Sequence, residues 1–263
     1  MMGILDPQGP IAAAERQILL NATGIMLVVV LPVIVLTLAF AWWYRASNPR
    51  AKHRPDWSYS GSVELVVWSI PAMVVILLGG VGWISSHDLD PARKIAGGPP
   101  LRIQVVSLDW KWLFIYPDQK VATVNDLVVP TGTPLEFTLT SGTVMTAFLV
   151  PQLGSQVYTM PGMTSHLNLL ASRDGDFAGL AAHFSGDGFS DMHFLVHAVP
   201  AAQFAQWTAR LHGAGPTLDA ASYAVLARAG TNVAVDRYGG VASAMFDQIL
   251  RAAVRPRDSA EAR

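Results

Sequence analysis

The sequence predicts a membrane protein of mixed class: a two-helix transmembrane hairpin, then an all-β sandwich, then a helical C-terminal extension. Three observations predict it. Two long runs, within 18–44 and 63–86, are almost free of charge; from about residue 101 short alternating runs take over; beyond 201 apolar residues fall at helical spacing. Composition agrees, with 51% hydrophobic and only 14% charged residues against about 25% charged in an ordinary soluble domain.

The first 17 residues are a polar leader ending in Glu15, Arg16 and Gln17. From Ile18 to Tyr44 no side chain is charged, and the run exceeds the roughly 20 residues that a helix needs to cross a bilayer. It is too long, and its leader too poor in basic residues, for a cleaved signal peptide. Pro32 is expected to kink it, and Trp42, Trp43 and Tyr44 close it with an interfacial aromatic belt. The second run, Leu65 to Ser86, carries Pro71 and the pair Gly79, Gly80; these small residues fit either a close helix neighbour or plain tolerance in lipid.

The intervening loop, 45–62, holds Arg45, Arg50, Lys52 and Arg54 against the single acid Asp56. The positive-inside rule makes this loop cytoplasmic and puts both termini on the outer side. Glu64, in the entry segment of the second span (63–86), fits two readings: a proton-path or partner-helix contact, or an ordinary interfacial glutamate.

A Pro/Gly-rich linker (87–100) leads to the outer domain, 101–200. In LRIQVVSLDWKWLFIY the even positions Val106, Leu108, Trp110, Trp112, Phe114 and Tyr116 would share one face of a continuous strand. Trp110 and Trp112 on that stripe are read as core packing or as a docking surface for a membrane partner. KVATVNDLVVP, PLEFTLTS, TAFLVP, SHLNLLAS and HFLVHAVP are further strand candidates between turn signals. About seven short strands in roughly 100 residues fit a β-sandwich or Greek-key barrel. His193 and His197 would be metal-ligand spacing on a helix, but on a strand they stand about 13 Å apart, so they are expected to be two solvent-facing histidines. The extension, 201–263, reads as three helices, AAQFAQWTARLHG, LDAASYAVLARAG and VASAMFDQILRAAV, before a charged, frayed tail PRDSAEAR. They are expected to pack on the sandwich or on a partner and to carry no chemistry.

The chain has no cysteine. Disulfides, zinc–thiolate sites, iron–sulfur clusters, thiolate-bound copper and cysteine nucleophiles are excluded together. A net charge of −1 without a basic run excludes a nucleic-acid partner. No Ser-His-Asp order, phosphate loop or paired catalytic carboxylates stand out.

Two membrane helices with both ends outside, followed by a sandwich opening on "DWKW", resemble subunit II of the haem-copper respiratory oxidases over nearly the whole chain. The segments LDPQGPI, YRASN, QVVSLDWKW, FIYP, ATVND, PQLGSQVY and FSGDGFSDM are similar to the quinol-oxidising, cytochrome bo-type branch. The resemblance implies a cupredoxin-like sandwich. In the cytochrome c oxidases of the family, this sandwich holds two copper ions through C-S-E-I-C-G-x-x-H-x-x-M and an earlier histidine. On that pattern AAHFSGDGFSDM keeps the spacing and loses the ligands: Ala181 and Ser185 replace the thiolates, Phe189 replaces the histidine, Thr146 stands near the earlier histidine, and Met192 remains. His183 falls at the glutamate, whose backbone carbonyl is the copper ligand in the family.

The resemblance further implies a non-catalytic subunit of a proton-translocating ubiquinol oxidase in a bacterial inner membrane, with both termini periplasmic. No cofactor would bind this chain; haems, the remaining copper and the quinol site would belong to subunit I. The other partners would be smaller integral subunits and the lipid bilayer, with no cytochrome c. Glu64 matches a glutamate at the mouth of a proton-uptake channel, and Trp110 an aromatic residue that passes electrons in copper-bearing relatives. Members of this branch begin with a lipoprotein signal and a lipidated cysteine. MMGILDPQ has neither, so either the anchor is lost or the true start lies upstream. The competing reading is a membrane-tethered binding or chaperone module with a copperless sandwich.

Overall fold

The computed structural model describes residues 3–52 and 54–254; the tail PRDSAEAR lies outside them. Helix α1 spans Pro10–Trp43 and α2 spans Gly61–Asp88. α1 starts well before the uncharged run, because proline suits the first helical position and the AAAERQ segment after it is rich in strong helix formers. Both helices run through their internal prolines, Pro32 and Pro71, and are long and apolar enough to cross a membrane. At the end of α1 the Arg45 guanidinium lies 4.9 Å from the Trp42 ring centroid and donates to the Trp42 carbonyl at 2.8 Å, where a cation complements a helix C-terminus.

The chain divides into two units. One is Arg16–Leu89; the other joins the segment up to Glu15 to the chain from Asp90 onward. In the second unit the N-terminal segment is a docked strap. The Gln8 amide donates to the Gln152 carbonyl (2.7 Å), and the Gln8 carbonyl accepts from Ser172 N–H (2.8 Å). Glu15 accepts from the backbone N–H and the hydroxyl of Ser155, at 2.9 and 3.2 Å. Gly9 is held so closely that a Cβ would lie 2.4 Å from the Leu170 carbonyl oxygen.

The rest of this unit is a sandwich. Its strands are β1 (Leu101–Leu108), β2 (Lys111–Tyr116), β3 (Val121–Val124), β4 (Asp126–Pro130), β5 (Leu135–Ser141), β6 (Thr146–Val150), β7 (Gly154–Thr159), β8 (Ser165–Leu169), β9 (Gly175–Ala181) and β10 (His193–Val199). After them come α3 (Ala201–Leu211), β11 (Thr217–Leu218), α4 (Ala220–Leu226), β12 (Asp236–Tyr238), β13 (Gly240–Val241) and α5 (Met245–Val254). One sheet runs β12-β3-β2-β1-β5-β8 and the other β4-β10-β9-β6-β7.

The long aromatic strand expected over 101–116 is a hairpin. Asp109 and Trp110 turn the chain, with Trp110 at φ 63, and β1 pairs antiparallel with β2, Val105 opposite Phe114. Pairing across the hairpin reverses which parity faces inward. Ile103 and Val105 therefore join Trp112, Phe114 and Tyr116 in the core between the sheets. Val106 and Leu108 instead join Leu113 and Ile115 on the opposite face of the six-stranded sheet. KVATVNDLVVP likewise breaks at Asn125 (φ 55), so that β3 and β4 enter different sheets.

The C-terminal extension covers that opposite face. Leu218, Tyr238, Met245, Phe246 and Ile249 pack over Val106, Leu113 and Ile115 as a second core. Lys111 anchors it: its buried ammonium donates to the carbonyls of Leu226 and Arg228 at 2.9 and 2.6 Å, at the end of α4. Burial pushes the Lys111 pKa below the ordinary lysine value, opposed by the charge of Asp109.

Candidate functional site

The loop 182–192 closes one end of the five-stranded sheet. β9 delivers Ala181 beside Phe148 of β6, and β10 departs at His193. The loop is pinned at its base, where Ala181 N–H donates to the Met192 carbonyl at 3.0 Å. A single 3-10 turn, Phe189–Asp191, brings the chain back. Gly186 (φ 107) takes a left-handed conformation, and Gly188 passes directly over Trp110, where a Cβ would stand 2.4 Å from an indole carbon. Trp110 Nε1–H donates to the Ser185 carbonyl at 3.1 Å. Trp110 thus supports the loop from below, while Trp112 is fully buried among Phe148 and Phe194. Trp112 is therefore corrected from docking-surface candidate to core residue: the hairpin turn separates the two indoles.

The five positions Thr146, Ala181, Ser185, Phe189 and Met192 meet at this loop end. Thr146 Oγ1–H donates to the His183 carbonyl at 3.1 Å. Thr159 Oγ1 donates to the Thr146 carbonyl at 3.3 Å and lies 2.8 Å from Ser107 Oγ. Thr159 has already committed its one proton, so Ser107 is the donor in that contact. Met192 is buried in the core, its sulfur 3.9 Å from Ser185 Oγ. The Phe189 ring packs against the same core and meets Phe184 edge-on, 5.7 Å between centroids.

A copper pair does not fit these residues. Ala181 and Ser185 present a methyl group and a hydroxyl, Phe189 presents a phenyl ring, and the His183 carbonyl accepts from Thr146. Soft bridging ligands are what hold such a pair, and no side chain here supplies one. Among the described residues no group of three or more His, Cys, Asp or Glu side chains is placed to hold a metal ion. The same end is apolar on its outside: Phe184 is 71% exposed, and Val144, Met145 and Met163 are exposed in the adjoining loops.

Glu64 lies in the first turn of α2, its side chain exposed, where a carboxylate favours the positive end of the helix dipole. His193 is exposed on β10, as expected. His197 is not simply solvent-facing: it touches Asp126 and Asp176 at 3.3 and 2.6 Å, neighbours supplied by other strands and so invisible to spacing along the chain. Asn125 was also missed. Its Oδ1 accepts from Trp112 N–H and its Nδ2 donates to the Val233 carbonyl, both at 2.8 Å. The available signal was an Asn-Asp step inside a strand-like run, since asparagine tolerates positive φ.

The model of the cytochrome c oxidase subunit II periplasmic domain matches residues 117–199, and the aromatic-rich motif of the same oxidases matches 213–256. The cytochrome bo(3) ubiquinol oxidase subunit 2 of Pseudomonas aeruginosa is 45% identical over 95% of this chain and 76% of its own. The chain belongs to the ubiquinol oxidase subunit 2 family. Another member, the ubiquinol oxidase subunit 2 of Acetobacter aceti, is 41% identical over 95% of this chain and 82% of its own. A solved periplasmic domain of cytochrome oxidase subunit II from Bradyrhizobium japonicum has 22% identity and a TM-score of 0.42, covering 44% of this chain and 96% of that one. In this subunit 2 chain the aromatic-rich segment is the part that builds the second core over the six-stranded sheet.

Proposed function

We propose that the chain is the copper-free, non-redox subunit II of a proton-translocating ubiquinol oxidase, which couples oxidation of ubiquinol to reduction of dioxygen to water. The observation that carries this reading is the loop end at Thr146, Ala181, Ser185 and Phe189, where the family's loop is kept and its donor atoms are replaced by a hydroxyl, a methyl group and a phenyl ring. A donor that is itself dissolved in the bilayer needs no relay on the outer domain. Haems, the remaining copper and the quinol site then reside in subunit I, and no cytochrome c is engaged.

The subunit's work is assembly and shielding of that partner. The exposed side chains Phe184, Val144, Met145 and Met163, supported by Trp110 beneath the loop, supply an apolar surface for it. The basic loop between the spans supports a multi-pass placement in a bacterial inner membrane with both termini periplasmic. Glu64, at the cytoplasmic end of α2, is the proton-entry group of this reading.

Gentle detergent purification through this chain tests the proposal. It brings down a haem-bearing membrane protein and smaller integral subunits, and deletion of the chain abolishes assembly of the haem oxidase. Recovery of a haem-free monomer, together with normal oxidase assembly after deletion, is the result of the tethered binding-module reading and would overturn this one.

A further inference from the structure

We infer that Tyr223 of the aromatic-rich extension braces the partner-facing turn 142–145, so that the extension sets how firmly the outer domain docks. The inference rests on the proposed reading of Val144, Met145 and Phe184 as part of the surface that meets subunit I.

Helix α4 is short but held at both ends. Asp219 caps its start: the carboxylate accepts the Ser222 N–H at 2.9 Å, and Ser222 Oγ accepts the Asp219 N–H at 2.8 Å. At its other end the Leu226 and Arg228 carbonyls are tied to Lys111. Between these anchors the Tyr223 ring packs on the second core, and its hydroxyl comes down on Gly142. A Cβ on Gly142 would stand 2.8 Å from Tyr223 Oη and 2.8 Å from Leu108 Cδ2.

Gly142 opens the turn between β5 and β6, and its N–H donates to the Ser107 carbonyl of β1 at 2.9 Å. The Ser141 hydroxyl donates to the Val144 carbonyl at 2.6 Å and accepts the Thr143 N–H at 3.2 Å. These bonds fix the shape of the turn, from which Val144 and Met145 project. Its seat is Gly142, between β1 on one side and α4 on the other. The two neighbours differ in compliance. Leu108 Cδ2 ends an aliphatic side chain that can change rotamer, whereas Tyr223 Oη is the tip of a rigid ring on an anchored helix. A group added to Gly142 therefore pushes the turn and not the ring.

The β1–β2 hairpin connects both halves of the surface. Leu108 borders Gly142, Trp110 carries the loop that bears Phe184, and Lys111 holds α4. A surface presented rigidly in its bound shape loses less on binding, so a displaced turn weakens docking of the whole patch.

Amide hydrogen exchange on the purified complex tests this, with peptides covering 142–150 and 182–192 as reporters of docking and β4 as an internal reference for the fold. Gly142→Ala is expected to raise exchange in both reporters roughly fivefold, through overpacking at the turn. Adding Tyr223→Phe removes the obstructing atom and returns both to within about twofold of the unmodified protein. Where Gly142→Ala alone prevents assembly, recovery of the complex in the double variant is the expected result, and its failure overturns the brace. The 182–192 reporter separates docking from a local disturbance, because it lies on a different loop. Phe184→Asp checks the underlying reading by charging the surface itself, and is expected to expose both reporters. If it does so while Gly142→Ala leaves 182–192 unchanged, or while Tyr223→Phe does not restore protection, the brace is overturned and the docking surface stands. If Phe184→Asp leaves both reporters protected, the docking surface falls and the brace with it.

Discussion

The side-chain hydroxyl of Thr146 donates a 3.1 Å hydrogen bond to the backbone carbonyl of His183. By the family resemblance, both positions would be joined through copper in a metal-bearing relative; here a direct bond joins them. Thr146→Val removes this part-buried bond, so the outer domain should lose about 0.5–1.5 kcal/mol. Denaturant unfolding reads that loss, and oxidase turnover should stay unchanged, because in the proposed function this loop carries no electron.

Tyr116 and Val128 form a reciprocal pair in the core: the phenol donates to the Val128 carbonyl and accepts its N–H, both at 2.9 Å. Burial holds the Tyr116 phenol well above the ordinary tyrosine range and pushes Tyr223 up to about 12. The unfolded chain ionises near pH 10, while the folded domain keeps these protons. The contribution of these two groups to stability is therefore level below about pH 10 and falls above it, by up to about 1.4 kcal/mol per pH unit for each group. Tyr116→Phe should cost about 1–3 kcal/mol at pH 8 and remove one such slope, as measured by unfolding at pH 8 and pH 11.

Lys111 is the polar anchor of the C-terminal extension. Lys111→Met keeps the apolar stem and deletes both bonds to the Leu226 and Arg228 carbonyls, so a loss of about 2 kcal/mol is expected. Limited proteolysis should show faster cleavage within 213–254 and no change at β1 or β5. Equal cleavage of both regions would mean that the extension and the sandwich unfold as one piece.

Much of this was legible in the chain. Uncharged runs mark the two spans because hydrocarbon excludes charge, and the glycine stops place α3 and α4 to within a few residues. The β1–β2 turn was not legible. It uses a tryptophan at φ 63, held there by the Ser185 carbonyl and the close approach of Gly188, both about 75 positions further along the chain. β7 and β9 were passed over because GSQVYT and GDFAGLA are glycine-containing and weakly alternating; they are strands because β6 lies between them. At the candidate site, that Thr146, Ala181, Ser185, Phe189 and Met192 belong together was an expectation of the family resemblance. The hydrogen bonds that run from the Ser107 hydroxyl through the Thr159 hydroxyl to the Thr146 carbonyl could not be read, since they join β1, β7 and β6 across the fold.

Glu64 is exposed in the first turn of α2, and its proposed role in proton entry separates cleanly from its helix-end role. Glu64→Gln should preserve assembly, removing only a few tenths of a kcal/mol of helix-end interaction. Turnover and proton uptake of the complex should nevertheless fall several-fold, roughly 1 kcal/mol in barrier terms. Unchanged turnover and uptake would leave Glu64 as an interfacial glutamate.

The most direct test of the central claim is the electron-donor preference of the oxidase purified through this chain, followed as oxygen consumption. A copper-free outer domain that takes no part in electron transfer predicts rapid turnover with ubiquinol and none with reduced cytochrome c, unchanged when copper is supplied to the outer domain. Sustained oxygen consumption with reduced cytochrome c as sole donor would contradict it.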